Sequence, residues 1–67
     1  MKKEIYYEKR KSTKSDKEYI ALYVDVGYRQ LALTMDNAVI VELSGKTFAE
    51  INAIQLGEKV VIGYLEA

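Results

Sequence analysis

The sequence contains no cysteine, no histidine, no proline and no tryptophan. Without cysteine there is no disulfide to staple the fold and no thiol nucleophile, and with histidine also lacking the usual zinc ligands are excluded. Serine–histidine and cysteine–histidine catalysis go with them. The lack of proline removes the commonest mark of an internal linker. No apolar run approaches the roughly 18 residues of a membrane span, and no signal-peptide hydrophobic region follows the basic start. Net charge is lacking as well: ten basic and ten acidic side chains cancel, so the molecule as a whole has no bulk attraction for nucleic acid or anionic lipid.

What remains is a chain of 67 residues, 49% hydrophobic and 30% charged, the profile of one globular domain spanning residues 1–67. A chain this short buries only about 60% of its unfolded surface. With neither disulfide nor metal, it gains stability from dense packing or from self-association. The charge is also uneven. Residues 1–17 hold seven basic side chains against three acidic ones, and residues 18–67 reverse the ratio, so the molecule is a dipole with a basic end.

Ile5, Tyr6 and Tyr7 open a β-prone run that fades into Glu8-Lys9-Arg10, and the polar Lys11–Lys17 segment reads as a hairpin loop. From Glu18 to Val26, Ile20, Leu22, Val24 and Val26 alternate with Tyr19, Ala21, Tyr23 and Asp25, giving a strand with one aliphatic and one amphipathic face. Gly27 supplies a turn, and Arg29–Leu33 resumes as a third strand with Leu31 and Leu33 on one side. Residues 35–43 fit two readings. Met35, Val39, Ile40 and Leu43 have helical spacing, with Thr34 to cap the start and Gly45 the end; Val39-Ile40-Val41 is nevertheless β-branched. The helix is the favoured reading. Thr47-Phe48-Ala49-Glu50 matches a capping box, followed by the apolar stripe Phe48, Ile51 and Ile54. Glu58–Glu66 closes the chain as a strand, with Val60, Ile62 and Tyr64 on one face and Val61 and Leu65 on the other.

These elements predict an α+β fold: a mainly antiparallel sheet of about four strands with one or two short helices on its aliphatic face. If residues 38–43 form a strand, the alternative is a closed barrel of about five strands of the SH3 or OB kind. The expected core is Ile20, Leu22, Val24, Leu31, Leu33, Val39, Ile40, Leu43, Phe48, Ile51, Val60 and Ile62.

Six tyrosines in a chain with one phenylalanine are the most informative functional feature. Tyr19, Tyr23, Tyr28 and Tyr64 are candidate interface residues, because tyrosine buries much area at low entropic cost. An aromatic sheet face beside a basic hairpin also suits single-stranded nucleic acid, with bases stacked on rings and cations along the backbone. Lys9, Arg10, Lys11 and Lys14 are the candidate contacts for phosphate or for an acidic partner, although Glu8, Glu18 and Asp25 lie among the same strands. Residues 41–51 have the layout of a helix-turn-helix, but Ala49, Glu50 and Asn52 are not the side chains of a DNA-reading helix. An αα-corner over the sheet is the plainer reading. Neither Asp36 with Glu42 nor Glu50 with Glu58 forms an acid–base pair by spacing, and no glycine cluster builds a phosphate loop. The expectation is therefore a non-catalytic interaction module without cofactor or metal, a homodimer through its tyrosine-bearing sheet face, with a protein partner and with single-stranded nucleic acid as the alternative.

Lys2–Ser12, Tyr19–Arg29 and Ala38-Val39-Ile40-Val41-Glu42-Leu43 together resemble small uncharacterised proteins of phages and prophages of Gram-positive bacteria. The resemblance implies a helix in the last stretch and a cytoplasmic accessory protein, and it transfers no functional residue.

Overall fold

The computed structural model describes residues 2–66. The elements follow in the order β1 (Lys2–Lys11), β2 (Glu18–Asp25), β3 (Gln30–Thr34), α1 (Asn37–Ser44), α2 (Phe48–Asn52) and β4 (Lys59–Glu66). The four strands form one antiparallel sheet in the order β3-β2-β1-β4. β3 and β4 thus lie at opposite edges and the sheet stays open. The fold is the α+β arrangement expected, and the barrel alternative falls because residues 37–44 are helical.

β1 runs to Lys11, well past the point where its β-propensity fades, because neighbours on both sides hold its backbone. Lys9 and Arg10 pair with Ile20 and Tyr19 of β2, while the Lys9 amide donates to the Glu58 carbonyl and its carbonyl accepts from Gly57 N–H at 2.9 Å. Tertiary pairing outweighs local preference here. In the β1–β2 loop Asp16 takes a left-handed φ of 61°, a conformation short polar side chains tolerate. At the β2–β3 turn Gly27 has φ 98°, which any Cβ would strain, and its N–H donates to Asp25 Oδ1.

α1 is capped by Asp36, not Thr34: Asp36 Oδ1 accepts from Ala38 N–H at 2.9 Å, while the Thr34 hydroxyl accepts from the Asp36 amide one turn earlier. The cap sets the phase of the helix. Asn37, Ile40, Val41 and Ser44, at i, i+3, i+4 and i+7, face inward, whereas Val39 and Leu43 face out. Gly45 ends α1 at φ 71°, its N–H donating to Val41. The capping box of α2 forms as expected, with Glu50 N–H donating to Thr47 Oγ1 and Thr47 N–H to Glu50 Oε1. The Thr47 N–H, and then the Thr47 hydroxyl that donates to the same Glu50 Oε1 at 3.1 Å, hold the Glu50 carboxyl below the usual carboxylate range.

The helices carry the chain across one sheet face. Beneath them Tyr7, Ile20, Leu22, Ile40 and Ile51 form the main core, flanked by Ile5, Val41, Ile54, Val60 and Ile62. Leu33, Val39, Leu43 and Phe48, expected in that core, are exposed instead. Val39 and Leu43 lose their place to the phase of α1. Phe48 begins α2 and only Ile51 points down from it. Leu33 is displaced by a β-bulge: Tyr23 pairs with Ala32 and Leu22 with Thr34, leaving Leu33 unopposed.

A second bulge interrupts β4. Ile5 pairs with Gly63 and Tyr6 with Val61, so Ile62 is the extra residue. The alternation expected along this strand therefore changes phase. Val60, Ile62, Gly63 and Leu65 share the helix side, and Tyr64 joins Val61 on the open side rather than Ile62 on the covered one.

Candidate functional site

Tyr6 and Tyr23 sit directly opposite each other on the central strands β1 and β2, on the face without helices. Their rings stack with centroids 5.6 Å apart and planes inclined at 27°, a favourable cross-strand pair. The spacing i, i+2, i+4 places Glu8 and Arg10 on the same face of β1 as Tyr6. Arg10 folds over Tyr23 with its guanidinium carbon 4.3 Å from the ring centroid. It is held there by Glu8 Oε1 at 3.1 Å from Nε and by Gln30 Oε1 at 3.0 Å from Nη2. Burial works against the charge of Arg10, but the Glu8 bond and the neighbouring Tyr23 outweigh it and raise its pKa. From the opposite edge the Lys59 ammonium lies 4.8 Å from the Tyr6 centroid and donates to Glu4 Oε1 at 2.9 Å. That Glu4 bond raises the Lys59 pKa.

The face without helices is thus a second small core, Tyr6, Ala21 and Tyr23 with Tyr19 beside them, roofed by two cations on aromatic rings. Here the structure departs from the expected interface. Tyr23 is buried at 6% exposure and Tyr19 half-buried, so neither forms part of a bare tyrosine row. Tyr28 and Tyr64, at 85% and 57%, are exposed at the ends of the sheet. The sequence signal for this second core lay in Ile5-Tyr6-Tyr7: large apolar side chains on both faces of one strand mark a central strand that is covered on both sides.

The basic candidates are dispersed. Lys9 lies on the helix side, donating to the Asn52 carbonyl at 2.9 Å and facing Glu18 at 3.6 Å. Arg10 is committed to the open face, and Lys11 faces the exposed Asp16 at 3.5 Å, a surface pair of little energetic weight. Lys14 is exposed at the loop tip. Lys11, Lys14, Lys17 and Tyr19 line an open hollow along the hairpin. Among the described residues no three acidic, histidine or cysteine side chains come together as metal ligands, and no helix is long and apolar enough to cross a membrane.

Burial raises the pKa of Tyr6, with Glu8 adding to the effect, and burial raises that of Tyr23 against the opposing pull of Arg10. Among the described residues the buried Tyr6 hydroxyl has no hydrogen-bond partner. A folded-state pKa above the unfolded value means stability that is complete below about pH 10 and is lost as the pH rises through the folded-state value. Alkaline unfolding above pH ~10 is therefore expected to coincide with tyrosinate absorbance from these rings. Tyr6→Phe, which removes one of the two ionisations and an unpaired hydroxyl, should move the midpoint to higher pH. An unchanged or lower midpoint would contradict the buried placement of Tyr6.

The chain matches no protein-family model, no curated protein and no solved structure.

Proposed function

We propose that this chain is a small non-catalytic interaction module that self-associates and binds a protein partner. The observation that carries the reading is the distribution of exposed apolar side chains. Val39, Leu43 and Phe48 stand on the outside of the two helices, and Val61, Tyr64 and Leu65 on the edge strand β4. Surface of this kind on a small domain is characteristic of contact sites for other proteins.

The competing reading, single-stranded nucleic acid, draws on the hollow with Lys11, Lys14, Lys17 and Tyr19. It is disfavoured because stacking needs open ring faces, and the faces of Tyr6 and Tyr23 are taken by each other and by Arg10 and Lys59. A cytoplasmic place of work and an accessory role in a phage or prophage belong to the same proposal; a cysteine-free chain suits a reducing compartment, and the phage setting rests on the sequence resemblance.

Fluorescence anisotropy of a labelled oligothymidylate, titrated with the protein between about 50 and 200 mM salt, separates the two classes. The protein-interaction reading expects no saturable binding. Saturable binding that weakens with salt at a slope of about −0.7 per phosphate contacted would overturn it.

A further inference from the structure

The two edges of the sheet differ. β3 is five residues long and broken by its bulge, whereas β4 presents eight residues with Val61, Tyr64 and Leu65 exposed. Among the described residues β4 has β1 on one side and no strand on the other, so it is an edge strand of the kind a further strand pairs with.

We infer that two copies of the chain join through β4, antiparallel about a twofold axis between Ile62 and Gly63, to make one continuous eight-stranded sheet. This rests on the self-association reading above and deepens it by naming the surface and the register. Under that axis Lys59 faces Glu66 of the second copy, Val60 faces Leu65, Val61 faces Tyr64 and Ile62 faces Gly63. The charges are complementary at both ends and the middle is apolar.

The bulge selects the register. Pairing with β1 puts Lys59, Val61, Tyr64 and Glu66 on the open side, opposite Glu8, Tyr6, Glu4 and Lys2. It puts Val60, Gly63 and Leu65 on the helix side, where Ile62 also packs. In an unbroken strand adjacent residues point to opposite sides, so a twofold axis between two residues sets unlike faces together. Because Ile62 and Gly63 share a side, this axis matches like with like at all four positions. Moving it by half a residue or one residue either way sets an inward residue against an outward one. A bulge at an edge ordinarily discourages pairing; here it leaves one self-complementary register. Closed twofold pairing uses the edge once in each copy and leaves no further β4 edge for continued assembly. Lys59 already donates to Glu4, and its ammonium has further donors for the second copy's carboxylate.

The full chain lacks cysteine, which makes the register readable by oxidative cross-linking. In the Val61→Cys/Tyr64→Cys double variant the facing positions of two copies lie about 5 Å apart at Cβ, near disulfide reach. Within one chain the same two positions are about 10 Å apart, as are the like positions of two copies. The double variant is expected to form a disulfide-linked dimer rapidly, and each single variant only slowly. Sedimentation of the unmodified chain accompanies the test. A chain that dimerises while the double variant cross-links no faster than the single ones overturns the β4 register and leaves self-association standing. A chain that remains monomeric overturns both. Should the double variant fail to fold, Glu66→Lys at an exposed position serves instead. It sets like charges together at both ends and should weaken dimerisation about tenfold, and an unchanged dimer would overturn the pairing.

Discussion

Ile51→Ala is expected to abolish the cooperative thermal transition of this protein. Ile51 is fully buried, and it is the buried side chain of a helix only five residues long. It closes the cluster of Tyr7, Ile20, Leu22 and Ile40 from above. Truncating such a residue costs roughly 2–5 kcal/mol, and an unstapled domain of this size has only about 3–5 kcal/mol to lose. Phe48→Ala, three residues earlier on the same helix but 58% exposed, should change stability by no more than about 0.5 kcal/mol. Melting followed by circular dichroism reads both. A cooperative transition retained at the unmodified temperature in Ile51→Ala, or a Phe48→Ala loss of comparable size, would place the core elsewhere.

Tyr23→Glu has an effect of similar size for a different reason. From the sequence, Tyr23 belongs to an uncovered row where a carboxylate would split a dimer and spare the monomer. In the fold it lies between the Tyr6 ring and the Arg10 guanidinium. The substitution removes a buried aromatic ring, which costs about 3–5 kcal/mol, and the Arg10 cation offsets only part of the desolvation of the new carboxylate. Urea unfolding should find the monomer itself lost. Tyr64→Glu, at an exposed position facing the second copy's Val61 in the β4 pairing, should leave the urea midpoint of the monomer near its original value and weaken dimerisation. If Tyr23→Glu folds normally, the second core is not the stabilising element described.

The parts of the fold legible in the sequence are those set by local chemistry. The alternation of Ile20, Leu22 and Val24 against Tyr19 and Tyr23 assigned the two faces of β2 correctly, and Thr47 with Glu50 announced the start of α2. The rest depended on where elements meet. Val39 and Leu43 have the spacing of a buried stripe, but the Asp36 cap turns α1 so that Asn37, Ile40, Val41 and Ser44 face the sheet. The two bulges are register effects between strands, and of the residues involved only Gly63, a glycine inside a strand, carried a signal. The basic candidates looked like one patch because they are close in sequence. Strand alternation sends Lys9 to the helix side and Arg10 to the open side, so a run of cations becomes two separate structural roles.

Sedimentation equilibrium of the unmodified chain, from low to high micromolar concentration, bears most directly on the claim that this is an interaction module built on self-association. The mass is expected to rise from 7.6 kDa and level at twice that value, without higher species, because the twofold β4 pairing closes. A mass that stays at 7.6 kDa throughout, or one that climbs past the dimer without a plateau, would contradict it.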